Sequence, residues 1–303
     1  MLPIRANCRL TPRRAKLAVL RAHSAPHLTA AVGRDKAKTV RLFDPVPPRT
    51  IPPNLITATA LGCGLSSIYA SLALHDFTLA AWLVLLSVLL DKLDGSVARA
   101  LKGATEFGVQ FDSFADATAF GAAPAALVVG LCETLVPTVW GPQALVLGLP
   151  AGVVLKGLAL FYAIMTVVRL ARFNVMTSTI GPLLFLGLPS TVSGAMICSG
   201  FLGWQELGWH TLHPGWLAWL PVAMLLNALA MVSNLPLPKL KASKNKAIKA
   251  IQLTIGAYIY LSVLLRTGLW VTHAVMAGYL LIGFVFSGPK LWREALAAPK
   301  DLP

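Results

Sequence analysis

The chain alternates long apolar runs with short polar or charged links from residue 55 to its C-terminus. Each run approaches the roughly 20 predominantly apolar residues that a helix needs to cross a bilayer. The pattern therefore predicts an all-α, polytopic membrane helical bundle with about eight transmembrane helices. Their approximate ranges are 54–74, 77–98, 110–131, 146–172, 181–203, 215–235, 248–266 and 268–287.

The links divide the chain into three regions. We expect the proline-rich segment at 41–53 to be an extended lead-in, because in a helix interior proline lacks the backbone N–H and clashes with the preceding turn. We therefore interpret residues 1–49 as a flexible basic tail and residues 50–236 as a core of six helices. The third region, 237–303, begins with a lysine-rich loop and adds a C-terminal helix pair.

The N-terminal tail is basic and contains no Asp or Glu in its first 34 residues. Organelle transit peptides have a similar composition, and a gene start assigned too far upstream would look the same. We favour a disordered tail that lies against the membrane.

The charged links indicate the orientation of the bundle. Basic residues fall on one predicted side, namely Arg99, Lys102, Arg169, Arg172 and the lysines between 239 and 249. The opposite side carries His75, Asp76, Glu133, Glu206, His210, His213 and a single arginine, Arg266. Because cytoplasmic loops are enriched in Lys and Arg, we predict that both termini and the 91–94 end of helix two are cytoplasmic, as in a bacterial inner membrane protein.

Composition narrows the function classes further. Charged residues make up 13% of the chain, against about 25% in soluble domains, and the mean hydropathy is +0.70. The net charge of +14 fits cytoplasmic loops facing anionic lipid, whereas no basic run is interleaved with aromatic residues as a nucleic-acid site requires. The cysteines stand singly and predict neither a zinc site nor a disulfide framework: Cys8, Cys63, Cys132 and Cys198.

Four aspartates stand out in the segment DKLDGSVARALKGATEFGVQFDSFAD at 91–116. Asp91 and Asp94 are three residues apart and share one helix face, while Asp112 and Asp116, four apart, share a face of the next helix. The short link between these helices contains two glycines, so the helices can run antiparallel. We therefore expect the two acidic faces to meet near the cytoplasmic surface.

Converged carboxylates repel one another at low dielectric unless cations neutralise them. Hard divalent ions with oxygen ligands meet this need, and Mg²⁺ usually arrives with substrate phosphates. Gly95 and Ala98 are small enough to let a nucleotide approach the helix backbone, and Arg99 offers a phosphate contact. The alternative, four solvated carboxylates at ordinary helix ends, does not explain two matched pairs beside small residues.

The spacing D-x2-D-G-x2-A-R-x8-G-x3-D-x3-D, from Asp91 to Asp116, resembles the signature of the CDP-alcohol phosphatidyltransferases. The resemblance implies a six-helix membrane core, usually a homodimer, in which an alcohol displaces CMP from a CDP-linked lipid. It also implies one or two Mg²⁺ or Mn²⁺ ions on Asp91, Asp94 and Asp112, with Asp116 as general base and a further metal contact. The residues that would line the cytidine nucleotide are Gly95, Ala98, Arg99 and Gly108.

Segments outside this motif indicate the alcohol. They resemble the membrane-type phosphatidylserine synthases of bacteria and archaea, and they are IPPNLIT at 51–57, TAFGAAPA at 118–125, RLARFN at 169–174, GLP at 187–189 and MVSNLP at 231–236. Those enzymes join CDP-diacylglycerol to L-serine and release CMP. This chain departs from their pattern at Ser190 and Thr191, where another proline or a small residue is usual, and in a short loop at 175–181.

Two further residue pairs are candidates for the site. Arg169 and Arg172 share a helix face, and we expect them to bind an acceptor carboxylate or a lipid phosphate. Positive-inside anchoring is the alternative for both arginines. Asn54 and Thr57 share a face at the start of helix one and are candidates for nucleotide binding, with helix capping as the alternative.

Two other functional readings stay open at this point. The same chemistry could use another acceptor, such as choline, glycerol phosphate or an inositol phosphate. A membrane transporter with a carboxylate-lined ion path is a different class, but it predicts broken helices at mid-membrane instead of acids at helix ends.

Overall fold

The computed structural model describes residues 47–176, 184–238 and 245–287, together with residue 289. The predicted basic tail up to residue 46 and the lysines between 239 and 244 lie outside the described residues. The described part is built almost entirely from helices, as the periodicity of the sequence predicts.

The α-helices of the described part are α1 (Ile51–Tyr69), α2 (Phe77–Ala100), α3 (Glu106–Asp116), α4 (Ala123–Val139), α5 (Ala151–Met176), α6 (Ser190–Glu206), α7 (Trp209–Leu212), α8 (Leu220–Val232), α9 (Lys246–Leu265) and α10 (Leu269–Ile282). Turns of 3₁₀-helix precede α1 and α8, at Pro48–Thr50 and Pro214–Trp219. The prediction that residues 48–53 are extended is wrong, because Pro52 and Pro53 lie in the first turn of α1, where a helix tolerates proline. Turns of π-helix follow α1, α3 and α10, at Ala70–Leu74, Ala117–Ala122 and Gly283–Ser287.

Several of these helices have the dimensions of membrane spans. Within the described residues, five segments are long and apolar enough to cross a bilayer: Pro48–Leu74, Glu106–Val139, Ala151–Val175, Gly215–Val232 and Lys246–Leu265. Helix α2 has 24 residues but carries charges in its C-terminal half, α6 has 17 residues, and Leu269–Val285 is a shorter apolar helix. The prediction of an all-α, polytopic membrane protein is confirmed.

The predicted start of the fourth membrane helix is wrong. The apolar pattern places it at residue 146, whereas α5 begins at Ala151 after a hairpin of β1 (Leu145–Val146) and β2 (Leu149–Pro150). Leu147 and Gly148 form the turn with φ values of 53° and 78°. A two-residue hairpin turn of type I′ requires this left-handed conformation at both positions, and the pattern of apolar residues does not reveal it.

The predicted start of the fifth helix is also wrong. The pattern places it at residue 181, whereas β3 (Leu184–Leu186) pairs antiparallel with β4 (Pro236–Pro238) and α6 begins only at Ser190. Gly187 has a φ of 73° and turns the chain from β3 towards α6. The pairing brings the start of α6 next to the end of α8.

Buried hydroxyl groups connect α1 to α2 inside the bundle. The Ser67 Oγ donates a hydrogen bond to Ala80 O at 2.8 Å, and the Ser87 Oγ donates one to Ala60 O at 3.0 Å. Apolar burial alone drives little helix association in lipid, so such bonds and close packing hold helices together. The central apolar cluster is formed by side chains that include Leu85, Phe120, Leu127 and Phe201.

Glu206 at the end of α6 connects this core to the C-terminal helix pair. Its carboxylate accepts hydrogen bonds from the backbone N–H groups of Gly268 and Leu269, at 2.5 and 2.8 Å, where α10 begins. The first N–H groups of a helix lack partners inside the helix, and a negative charge there interacts favourably with the helix dipole. Gly203 allows α6 and α10 to approach, because a methyl group at this position would lie 2.8 Å from Trp270.

We expect Glu206→Ala to lower the melting temperature of the purified protein in micelles by about 2–4 °C, which corresponds to about 1 kcal/mol. The control is Glu133→Ala, since Glu133 makes a half-exposed ion pair with Lys156 at 3.3 Å. Exposed pairs contribute only about 0–1 kcal/mol, so this control should change the melting temperature less. Equal melting temperatures for the two variants would contradict the role of Glu206.

Candidate active site

The turn between α2 and α3 brings the two acidic faces together. At the end of α2 the Gly103 N–H donates to Ala98 O at 2.9 Å, and Lys102 adopts a left-handed φ of 50°. The hydroxyl of Thr105 accepts a hydrogen bond from the Gly108 N–H at 3.0 Å, which caps the start of α3. The link is therefore a compact turn, and both acidic pairs lie at the same end of the bundle.

Three of the four aspartates form a compact cluster. Asp91, Asp112 and Asp116 each offer a carboxylate oxygen, and these oxygens lie within 4.8 Å of one another. All three residues are half-buried, and Lys92 Nζ lies 3.7 Å from a carboxylate oxygen of Asp91. Like charges at this separation repel strongly where the dielectric is low. The cluster therefore fits a divalent cation that prefers hard oxygen ligands.

Asp94 lies near this cluster in a different environment. Its side chain is buried, and its Oδ2 accepts a hydrogen bond from the Thr57 hydroxyl at 2.6 Å. The family resemblance implies metal contacts for all four aspartates, and chiefly for Asp91, Asp94 and Asp112, whereas the compact cluster contains Asp116 and does not contain Asp94. Asp94 instead contributes to the cavity that lies next to the cluster.

A cavity of about 220 Å³ opens between the start of α1, the end of α2 and the start of α3. Its lining includes every residue predicted to bind a nucleotide and two of the aspartates: Asn54, Thr57, Gly95, Ala98, Arg99, Gly108, Asp94 and Asp112. Asp112 belongs to both the cavity and the carboxylate cluster. The two features therefore adjoin and form one site.

The candidates at the start of α1 are not helix caps. Thr50 is the N-cap residue of α1, and Thr57 lies more than a turn further along, where its hydroxyl bonds to Asp94. Asn54 faces α3, because a methyl group added to Gly108 would lie 3.2 Å from the Asn54 Oδ1. A glycine at position 108 therefore keeps space open between Asn54 and α3.

Arg169 lies beside the acidic cluster. It is 9% exposed, its Nη1 donates to the Ser190 Oγ at 3.0 Å, and its guanidinium lies 5.1 Å from the centre of the Phe173 ring. Its positive charge interacts favourably with Asp116 and Asp91. A positive-inside anchor would be solvated at the membrane surface, so these surroundings favour a role in the site.

Arg172 has other partners, although it lies one turn along the same helix. Its Nη1 donates to Val232 O at 2.6 Å, and its Nη2 donates to the Asn234 Oδ1. Val232 is the last residue of α8, where unpaired carbonyl groups favour a cation. Arg172 therefore connects the end of α5 to the end of α8.

The contact between Ser190 and Arg169 was not predicted from the sequence. Ser190 departs from a family pattern, and in the structure its side chain is fully buried and its hydroxyl is bonded to the guanidinium of Arg169. A serine at the start of a helix usually indicates capping, so no local signal distinguishes this contact.

Comparison with known proteins identifies related sequences. The sequence model of the CDP-alcohol phosphatidyltransferase family matches residues 50–227. A Helicobacter pylori protein named CDP-diacylglycerol–serine O-phosphatidyltransferase is 30% identical over 241 residues, which cover 80% of this chain and 92% of that protein. Proteins of the same name from Mycobacterium tuberculosis and Bacillus subtilis are 28% and 31% identical over 203 and 142 residues. The match to the Mycobacterium tuberculosis protein covers 63% of this chain and 62% of that protein. The match to the Bacillus subtilis protein covers 47% of this chain and 70% of that protein.

We expect Asp112→Asn to weaken Mn²⁺ binding by at least about tenfold, because it removes one charged ligand from the cluster. Electron paramagnetic resonance of free Mn²⁺, measured with purified protein and no substrate, checks this result. Asp76→Asn is the matched control, since Asp76 caps the opposite end of α2 by accepting a hydrogen bond from the Leu79 N–H at 2.9 Å. Equal Mn²⁺ affinity in both variants would contradict the metal site.

Proposed function

Because this chain belongs to the CDP-alcohol phosphatidyltransferase family, we propose that it transfers the phosphatidyl group of CDP-diacylglycerol to the hydroxyl of L-serine and releases CMP. The product is phosphatidylserine, a phospholipid. One observation carries the assignment: Asp112 lines the cavity and also belongs to the carboxylate cluster. A CDP-linked lipid can therefore place its nucleotide in the cavity and its pyrophosphate against the carboxylates.

We assign the cytidine nucleotide to the cavity between α1, α2 and α3. Gly95 and Ala98 leave the backbone of α2 open to close approach, and the exposed Arg99 supplies a positive charge for a phosphate. Asn54 and Thr57 line the opposite wall, where Thr57 also holds the Asp94 carboxylate.

The acidic cluster is the proposed metal site. Asp91, Asp112 and Asp116 would hold the cation, with Asp94 beside them, and Mg²⁺ or Mn²⁺ are the ions that suit these oxygen donors. When bound, the cation neutralises the charge that develops on the CMP leaving group.

Asp116 is the proposed general base. Its carboxylate accepts the proton of the serine hydroxyl while the hydroxyl oxygen forms a bond to the phosphorus that carries diacylglycerol. The bond from this phosphorus to the CMP oxygen breaks, and CMP leaves with the electron pair. We favour direct displacement, because no activated nucleophile other than the aspartates stands out among the described residues. Positioning and electrostatic stabilisation would supply most of the rate.

Arg169 is the proposed partner of the serine carboxylate. It lies beside Asp116, is almost fully buried and is oriented by Ser190, so its fork of N–H donors suits a planar carboxylate. Arg172 donates to Val232 and Asn234 instead, and we assign it a structural role.

The family resemblance supports a homodimer, and the charge asymmetry of the links supports a bacterial inner membrane location with both termini and the site facing the cytoplasm. The start of α2 contacts the end of α6 through a hydrogen bond between Thr78 and Gln205. This end of the bundle carries the acidic and His residues of the predicted outer side, and the aspartate cluster lies towards the other end of α2.

The test uses purified protein in micelles with CDP-diacylglycerol, Mg²⁺ or Mn²⁺, and serine, choline, glycerol phosphate or inositol phosphate as the acceptor. We expect serine-dependent CMP release, and we expect Asp116→Asn to lower kcat by roughly 10²–10⁴-fold, the usual contribution of a general base. CMP release with another alcohol but not with serine would overturn the serine assignment. Normal turnover of Asp116→Asn would exclude its role as the base.

Arg169→Lys should raise the KM for serine about tenfold or more, because lysine keeps the charge but cannot form two parallel hydrogen bonds to a carboxylate. Arg172→Lys should lower the melting temperature and leave the serine KM near the wild-type value. The comparison uses steady-state kinetics with saturating CDP-diacylglycerol. Equal increases in the serine KM for both variants would contradict the division of roles between the two arginines.

A further inference from the structure

The helix that carries Asp112 and Asp116 changes geometry immediately after Asp116. Residues Ala117–Ala122 form a π-helical turn, in which the Ala123 N–H bonds to Thr118 O, five residues back. The α-helical pattern, with bonds four residues back, resumes in α4. A π turn inserts one extra residue into a helix, and such insertions occur frequently at functional sites.

Pro124 accounts for the break in the α-helical pattern. In a regular α-helix the N–H of residue 124 would bond to Phe120 O, but proline has no N–H and its ring clashes with that carbonyl. Phe120 is 1% exposed, so its carbonyl group needs a partner inside the protein. Tyr162 of α5 is such a partner. Its hydroxyl donates a hydrogen bond to Phe120 O at 2.8 Å, and its side chain is 0% exposed.

Neighbouring helices contact the π turn closely. A methyl group added to Gly64 of α1 would lie 2.9 Å from the backbone of Ala119, and one added to Gly194 of α6 would lie 3.2 Å from Phe120. The turn therefore packs against α1 and α6 through glycines, while the hydrogen bond from Tyr162 connects it to α5. These contacts fix the position of the turn.

The π turn also sets the direction of the catalytic aspartates. The rotation of α4 is determined by buried side chains such as Ala123 and Leu127, both 0% exposed. Successive residues of a helix are about 100° apart, so removing one inserted residue would rotate the preceding helix by about that angle. Without the π turn, Asp112 and Asp116 would no longer face Asp91.

We propose that Tyr162 is a positioning residue for phosphatidyl transfer, because its hydrogen bond to Phe120 O maintains the π turn that directs Asp112 and Asp116 towards Asp91. The inference rests on the proposed function, since it takes the aspartate cluster as the active site. Tyr162 is fully buried, so it acts through the helix backbone and touches no substrate.

Tyr162→Phe tests the proposal, since it removes the hydroxyl and keeps the ring. We expect kcat for serine-dependent CMP release to fall about tenfold or more, because a small displacement of catalytic groups strongly reduces the rate. The KM for serine should stay near the wild-type value, since Arg169 and Ser190 are unchanged. Mn²⁺ binding without substrate, measured by electron paramagnetic resonance, should weaken together with kcat.

Tyr258→Phe is the matched control. The Tyr258 hydroxyl also donates to a backbone carbonyl, Gly268 O at 3.0 Å, but in the C-terminal helix pair. This variant should keep the wild-type kcat and Mn²⁺ affinity. If Tyr162→Phe lowers the melting temperature but matches the control in kcat and Mn²⁺ affinity, Tyr162 is merely structural and the proposal is wrong.

A double variant, Tyr162→Phe with Pro124→Ala, separates stability from positioning. Alanine restores the N–H that can bond to Phe120 O in α-helical register, so the melting temperature should recover. This bond favours a continuous α-helical register, in which Asp112 and Asp116 turn away from Asp91, so kcat and Mn²⁺ affinity should stay low. If kcat and Mn²⁺ affinity recover together with the melting temperature, the proposal is wrong. Wild-type protein without serine-dependent CMP release would overturn the proposed function instead, while the Mn²⁺ comparison would still test Tyr162.

Discussion

Repulsion among the carboxylates of Asp91, Asp112 and Asp116 constrains the rest of the structure. Their oxygens lie within 4.8 Å of one another at one end of an apolar bundle, where a low dielectric strengthens every charge interaction. Helices from different parts of the chain offset this repulsion. Lys92 of α2 pairs with Asp91, and the buried Arg169 of α5 interacts with Asp91 and Asp116. In the proposed mechanism a divalent cation would complete the neutralisation, so substrate binding and charge balance would depend on the same residues.

The same constraint explains why α2 carries its charged residues at one end only. Its N-terminal half packs in the central cluster through residues such as Leu85, while its C-terminal half carries both acids and bases. Asp94 is buried there, but the Thr57 hydroxyl donates a hydrogen bond to it. Buried polar groups are tolerated in proteins when they are paired, and α1 supplies that partner.

The helices and the aspartate site could be predicted from the sequence because their signals are local. The spacings of Asp91 to Asp94 and of Asp112 to Asp116 place each pair on one helix face whatever the helix packs against. The glycine-bearing link then leaves few ways to arrange two successive helices. The cavity residues belong to the same short segments, apart from Pro53, Asn54 and Thr57 at the start of α1.

Features that join distant segments could not be predicted in this way. The pairing of β3 with β4 delays the start of α6, and neither strand has enough residues to show an alternating pattern. Ser190 and Arg169 are 21 residues apart, and Tyr162 and Phe120 are 42 apart. Pro124 signals a disturbed helix in the sequence, but the donor that compensates for its missing N–H comes from another helix.

Charge balance also bears on the choice of acceptor. Arg169 and Lys92 are cations that interact with Asp116, and Lys92 already lies against Asp91. A phosphorylated alcohol would bring nearly two negative charges next to the acidic cluster and the pyrophosphate, and it would need a second cation. Arg172 is bonded to Val232 and Asn234 and does not supply one. Serine is a zwitterion with no net charge, and its single carboxylate requires one guanidinium, which is the role proposed for Arg169.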